Sequence, residues 1–322
     1  MDSLTQIVLG ASVAGLVGIK PFGRKAIIGG ALLGTLPDLD VFLSYTTAID
    51  NFTFHRGFSH SLFVLAALSL FLYGLVLLIK PNLNVHKKAL FLVIFLPLIT
   101  HPLLDSFTSY GTQLLWPISS PPIAWSSVFV IDPIFTLPLL IAVIGIWFNY
   151  RSKKWQKVNR VMLMISCLYL ALGQWQFWHI HQRVMQDPIT KQSNVFISAT
   201  PLNTYLWRVI SYHDDIYYEA VTNVFDKQPL SWKVHTTGRD LLNGFNSQEL
   251  QRLEWFSRGM LAFRKQENQL IATDLRIGLK DYYPFTFRIA KGEDQGKWRA
   301  IPSEKMPEPE VNLENIIALF KS

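Results

Sequence analysis

Three short segments of this chain set carboxylates and imidazoles close together: Pro37-Asp38-Leu39-Asp40, His55-Arg56-Gly57-Phe58-Ser59-His60 and His101-Pro102-Leu103-Leu104-Asp105, with Asp132 further on. Carboxylate and imidazole donors together are the set a divalent metal takes. They lie in or against long apolar segments, where charged groups persist mostly by lining a cavity, pairing, or binding an ion. All six acidic residues before position 181 are Asp, and four of them belong to this cluster.

Each member admits more than one role. His101 and Asp105 are four apart, so on a helix they share a face one turn apart; that suits two ligands of one metal or a bridging carboxylate. Pro102 falls one residue into this pair, compatible with a helical first turn rather than a helix interior. Asp38 and Asp40 would face opposite ways in an extended chain, but a turn after Pro37 lets both converge; the same two acids also suit a solvated helix end. His55 and His60 flank Arg56 and Gly57, and each taken singly also suits a satisfied polar group at a membrane interface. Ser59 is placed to cap the helix that follows. Arg56 can clamp an anionic phosphate bidentately or neutralise a nearby Asp. Asp132, before Pro133, starts a helix or joins the ligands. Tyr110, Trp116 and Trp125 fit an interfacial aromatic belt.

The elements that must position these groups follow from the composition. Residues 1–180 hold 12 Lys/Arg and 6 Asp/Glu, net +6; residues 181–322 hold 18 and 17, net +1. The division predicts two domains, a membrane-embedded one over 1–180 and a soluble one over 181–322. The expected fold is an all-α polytopic membrane domain of about six helices, followed by a small α+β or β-rich extracytoplasmic domain. Apolar stretches run over 4–19, 26–45, 61–79, 89–107, 128–149 and 160–178. Gly10, Ala14, Gly18 and Gly30, Gly34 recur at four-residue spacing, which lets helix backbones approach closely. Basic residues gather at Lys20/Arg24/Lys25, Lys80/Lys87/Lys88 and Arg151 to Arg160, whereas loops 46–60 and 108–127 carry one Arg and one Asp between them. Six helices put all three basic loops on one side, the cytoplasmic side by the positive-inside rule. The N-terminus, the Asp/His cluster and everything after residue 180 then fall at the outer face. The opening Met1-Asp2-Ser3 lacks a basic n-region, so no cleavable signal peptide is expected. Cys167 is the single cysteine, which excludes an internal disulfide. No basic stripe interleaves with aromatics, so nucleic acid is not an expected partner.

The ordered string Met1-Asp2-Ser3-Leu4-Thr5-Gln6-Ile7-Val8-Leu9-Gly10, Pro37-Asp38-Leu39-Asp40, His55-Arg56-Gly57-Phe58-Ser59-His60-Ser61 and His101-Pro102-Leu103-Leu104-Asp105 resembles the bacterial membrane-bound metal-dependent hydrolases of the YdjM-like family. The resemblance covers about residues 1–150. Many members carry Thr-His where this chain has Thr5-Gln6, a departure that removes one possible ligand. The family is in turn distantly similar to zinc phospholipase C and related zinc-dependent nucleases, helical enzymes with a trinuclear zinc site. Their His-x-x-x-Asp motif matches His101 to Asp105; their downstream His-x-x-x-Glu pair has no match, since no Glu precedes residue 219. The resemblance thus implies a hydrolase of the bacterial inner membrane with one or two divalent ions, Zn²⁺ or else Mn²⁺. His55, His60, His101 and Asp105 are its expected ligands. Asp38 and Asp40 would share ligand and general-base roles, and Arg56 would stabilise phosphoryl charge. A site at headgroup level suits a membrane lipid or lipid-linked phosphoester.

Two other functions use the same residues. An ion or metal transporter would need them as a pathway, but also polar groups at mid-membrane and on the basic side, whereas the cluster is one-sided. A binding or structural membrane protein would hold a metal with no open coordination position. Beyond residue 180, Tyr205–Ser211, Ile216–Val224 and Leu270–Ile277 read as strands, 247–264 and 311–320 as helices, and His213-Asp214-Asp215 as a hairpin turn in preference to a metal site. No hydrolase motif is evident there, and the domain is expected to cover the site or select the substrate. Nothing in the sequence sets the oligomeric state.

Overall fold

The computed structural model describes residues 1–118, 121–278, 282–293 and 297–308. Its N-terminal part is helical. Helix α1 (Ser3–Phe22) starts on Asp2, whose side chain accepts from the Thr5 amide, and ends at Gly23 with φ 56°. It is followed by α2 (Arg24–Thr35), α3 (Ala48–Phe54), α4 (Leu62–Ile79), α5 (Lys87–Asp105), α6 (Pro133–Phe148) and α7 (Lys153–Val184). Four helical stretches are long and apolar enough to cross a membrane: α1, α4, the 25 residues ending α5, and α7. Helix α6 is apolar but shorter.

All six predicted apolar stretches contain a helix, yet the second departs from expectation. Helix α2 stops after 12 residues at Thr35, about 18 Å of length, and the chain tightens into a 3₁₀ turn over Leu36–Phe42. Pro37 has no N–H to continue the α ladder, and the tighter turn carries the two acids. A second correction concerns Pro102, which lies in the last turn of the 19-residue α5 and not in a first turn. A membrane-type helix tolerates such a proline where neighbours re-satisfy the freed carbonyl.

Helix α1 lies at the centre, packed against α2, α5, α6 and α7. Its contact with α2 is as close as the small-residue spacing predicted. A Cβ on Gly10 would collide with the Gly30 carbonyl, and one on Gly34 would come within 2.8 Å of the Gln6 carbonyl. Helix α4 packs mainly on α5 and leaves Leu70, Phe71, Leu78 and Ile79 exposed, an apolar surface suited to lipid.

The C-terminal part consists of two antiparallel four-stranded meanders. The first joins β1 (Asn194–Ala199), β2 (Leu206–Tyr212), β3 (Ile216–Asn223) and β4 (Lys233–Thr236). The second joins β5 (Leu261–Gln266), β6 (Gln269–Asp274), β7 (Thr286–Gly292) and β8 (Trp298–Lys305). His213-Asp214-Asp215 forms the β2–β3 turn, closed by the His213 amide on the Ile216 carbonyl. Helix α8 (Gln248–Ser257) is shorter than the predicted 247–264, because Arg258 and Gly259 at φ 55° and 76° end it and 261–266 becomes strand. The predicted helix over 311–320 lies outside the described residues.

The halves interlock. Helix α7 runs past residue 180 and buries Ile180 and Val184 against the first sheet. Helix α3, from the N-terminal part, buries Ile49 and Phe52 in the core of the second sheet beside Phe256, Phe287 and Leu253. The Ile49 amide donates to Ser303 Oγ at 2.9 Å, and Arg252 Nε donates to Thr53 Oγ1 at 2.5 Å. Buried Arg208 joins the two sheets: its guanidinium donates to Glu219 at 2.7 Å and to the Leu275 carbonyl at 2.5 Å.

Candidate metal centre

Three elements converge on one point. The 3₁₀ turn after α2 brings Asp38, a second 3₁₀ turn over Phe58–His60 brings His60, and the end of α5 brings His101 and Asp105. One ligand atom from each of these four residues lies within 4.8 Å of the others. His60 Nε2 stands 3.1 Å from His101 Nε2, 3.4 Å from Asp38 Oδ1 and 3.2 Å from Asp105 Oδ2. His101 Nε2 stands 3.3 Å from Asp38 Oδ1 and 3.5 Å from Asp105 Oδ2. Four donors at about 2.0–2.1 Å around a tetrahedral Zn²⁺ are about 3.3–3.4 Å apart. The five edges that meet at the two imidazole nitrogens, 3.1–3.5 Å, match that spacing.

The neighbours of the two imidazoles decide which nitrogens face inward. His101 Nδ1 meets the Gly34 carbonyl at 2.6 Å; a carbonyl only accepts, so Nδ1 carries the proton and Nε2 presents a lone pair. Ser59 Oγ donates to Asp40 Oδ2 at 2.5 Å and so accepts from His60 Nδ1 at 2.9 Å. That leaves His60 Nε2 with a lone pair too. Two imidazole lone pairs and two carboxylate oxygens therefore face one another in a site where His60, His101 and Asp105 are fully buried. Among the described residues buried Asp105 Oδ2 has no hydrogen-bond partner, and the Arg56 guanidinium, 3.4 Å away, offsets its charge; a buried acceptor without a hydrogen bond is unfavourable. A cation at the centre removes both the repulsion and this cost. The residues present fit a divalent metal.

His55 and Asp40 lie one layer out. His55 Nδ1 bonds Asp40 Oδ1 at 2.7 Å, and Asp40 Oδ2 accepts the Arg56 amide at 3.1 Å. The structure thus gathers three of the four expected ligands, His60, His101 and Asp105, joins Asp38 to them, and sets His55 on Asp40. Arg56 is buried with φ 59°, its Nε 3.4 Å from Asp105 Oδ2, its Nη1 donating to Thr108 Oγ1 at 3.2 Å and its guanidinium 4.9 Å above the Tyr110 ring. Non-glycine residues held at positive φ concentrate at functional sites. Burial pushes the Tyr110 hydroxyl well above its ordinary value, so it stays protonated and donates to the Phe52 carbonyl at 2.6 Å.

Gln6, where the resembled family carries His, lies against the cluster. Its Nε2 donates to Asp105 Oδ1 at 3.0 Å and its Oε1 is buried without a partner. The Met1 amino group also donates to Asp105 Oδ1. Asp132 belongs elsewhere: it caps α6 through the Ile134 and Phe135 amides and accepts from the Tyr169 hydroxyl at 2.8 Å. Ser61, not Ser59, caps α4, because Ser59 is engaged by Asp40 and His60. The Gly34 carbonyl and the Ser59 relay were not anticipated as site groups. The small-residue spacing and the position of Ser59 beside His60 were the available signals.

A stretch of 155 residues is 30% identical to "Uncharacterized protein YfhP" of Bacillus subtilis (strain 168), covering 46% of this chain and 46% of that one. The chain thus matches about half the length of this relative. No solved structure matches the chain. Residues 1–180, which contain every member of the cluster, match the family described as YdjM inner membrane protein. The chain belongs to the YdjM inner membrane protein family.

Proposed function

We propose that the chain is a membrane-bound, metal-dependent hydrolase that cleaves a phosphoester of a lipid-linked or amphiphilic substrate at the outer membrane face. The observation that carries this is the mixed cage of Asp38, His60, His101 and Asp105, backed by a His–Asp pair and a buried Arg. These four residues would hold Zn²⁺ or Mn²⁺. A metal held there would supply Lewis acidity, lowering the pKa of water and polarising a phosphoryl oxygen.

The chain's own groups do the rest. Gly34 and Ser59 hold the two imidazoles in the tautomer that presents Nε2 inward. Asp40 orients His55 through Nδ1, which leaves His55 Nε2 to take a proton from the attacking water and return it to the leaving oxygen. Arg56 offsets the charge of Asp105 beside it and favours an anionic substrate.

Access supports an amphiphile. On one side Tyr110, its ring 5.6 Å from that of His55, packs against Phe52, Phe256 and Phe285 in the core of the second sheet. On the Asp38 turn, by contrast, Leu39, Val41 and Phe42 are exposed, as is Phe58 at the start of the turn that carries His60. Asp38 itself is the open ligand, with its side chain 19% exposed against 0% for the other three. Acyl chains lying on this apolar turn would bring a headgroup phosphate to the exposed carboxylate.

One observation favours a structural metal instead: four protein donors already complete a tetrahedral shell, and catalytic sites usually keep one position open. Metal content of detergent-purified protein, with hydrolysis of phospholipid and lipid-linked phosphoesters before and after chelation, separates the two. The expected result is about one ion per chain in the wild type, less than a tenth of that in His101→Ala and Asp105→Ala, and hydrolysis that follows occupancy. Full occupancy without turnover on any of these substrates overturns the hydrolase and leaves the structural metal. An absence of bound metal in the wild type after metal is supplied overturns both.

A further inference from the structure

At the basic end of the helical part, away from the metal cage, a cleft of about 520 Å³ opens between the α1–α2 junction, the α4–α5 connection and α5. Its walls include Phe22, Leu90 and Val93, and its polar lining is Lys25, Lys80 and Asn82, with no acidic residue. We infer that this cleft binds the headgroup of an anionic phospholipid, with Lys25 and Lys80 on the phosphate and the acyl chains along the apolar surface beside it.

The cations of this end are not all alike. Arg24 is consumed by the fold: its Nε donates to the Trp147 carbonyl at 2.7 Å and its guanidinium sits 5.1 Å from the Tyr150 ring centroid. Arg151 stacks on the same ring at 5.5 Å. Lys25 and Lys80 are exposed, and among the described residues neither forms an ion pair. Among the described residues nothing compensates the positive charge these two ammonium groups bring to one cleft. Basic pockets between membrane helices at their charged end bind lipid headgroup phosphates in this way.

The surroundings select a lipid over a soluble phosphate. Leu78, Ile79 and Val85 adjoin Lys80 and Asn82 in sequence and are exposed to 78%, 67% and 83%. Leu78 and Ile79 belong to the lipid-facing surface of α4, so a diacyl lipid can keep its chains along that face while its phosphate enters the cleft, a route a free phosphate or nucleotide does not use. The cleft also has the size of a small-molecule site. The inference is independent of hydrolysis, since no residue of the cleft belongs to the metal cage.

The test is thermal unfolding of the full chain in an uncharged detergent, titrated with phosphatidylglycerol, with phosphatidylcholine of the same acyl chains, or with inorganic phosphate. Phosphatidylglycerol should raise Tm by about 4 °C; the other two should leave it within about 1 °C. The double variant Lys25→Ala/Lys80→Ala should keep the lipid-free Tm, because both side chains are exposed, and lose the shift; Lys25→Arg/Lys80→Arg should retain it. Equal shifts from phosphatidylcholine, or an undiminished shift in the alanine variant, overturn the site. Native mass spectrometry of the wild type offered both lipids at equal concentration gives a reading that needs no variant: preferential retention of phosphatidylglycerol supports the site, and equal retention overturns it.

Discussion

At the scale of single residues, the candidate metal cage depends on groups outside its four donors. Asp40 holds His55 through Oδ1 and accepts Ser59 and the Arg56 amide through Oδ2, and Ser59 in turn fixes the His60 tautomer. Asp40→Asn removes no cage donor. It replaces an acceptor-only group by one whose amide cannot serve all three donors. The variant should bind metal about 10–100-fold more weakly, measured by competition with a chromophoric chelator. An unchanged affinity would show that His60 is oriented by other means. His101 and Asp105 were legible in the sequence because their four-residue spacing is a property of any helix. Which of Asp38, Asp40, His55 and His60 would join the cage was not legible. Two irregular turns decide that, and neither has a periodicity to read.

At the scale of elements, the cage is as firm as the contact between α1 and α2. The four-residue spacing of glycines announced a close approach, and its consequence lies one step further: the same approach sets the Gly34 carbonyl that fixes His101. Gly10→Ala would drive a methyl into the Gly30 carbonyl, backbone that cannot rotate away. The helices must separate, at a cost of about 1–3 kcal/mol, and the Gly34 carbonyl moves with α2. Gly29 provides the control, since a Cβ there meets nothing within 4 Å. Gly29→Ala should leave metal affinity unchanged and gain up to about 1 kcal/mol from helix propensity. Thermal unfolding of the two variants should therefore shift in opposite directions, and metal titration should weaken for Gly10→Ala alone. Equal behaviour would mean that the contact is slack. The long helices could be read from hydropathy, because a run of apolar residues of that length has few other uses. The early end of α2 could not be read, since Leu36, Leu39, Val41 and Phe42 keep the stretch apolar while the backbone has already turned.

At the scale of the whole molecule, the boundary near residue 180 marks a change of composition and not a separation of parts. Helix α3 was invisible in the sequence: seven residues hold too little pattern, and its apolar Ile49 and Phe52 answer to strands more than 200 residues later. It leaves the second sheet's core directly into His55 and Arg56, so the C-terminal sheets hold the loop on which those residues sit. Arg252 lies over the Phe54 ring at 3.7 Å and donates to Thr53, a second tie at the same place. Phe52→Ala should cost about 3 kcal/mol or more from the cavity it leaves among Phe256, Phe285 and Phe287. It should also weaken metal binding, by about tenfold, because the His55–Asp40 pair loses its anchor. The second effect separates two views of the chain. If the sheets were an independent module over the membrane part, metal affinity measured well below the unfolding temperature would match wild type despite the lost stability. A joint loss, with most of the affinity restored by Phe52→Leu, which is apolar and fills more of the space than Ala, would establish that the C-terminal half helps to build the site.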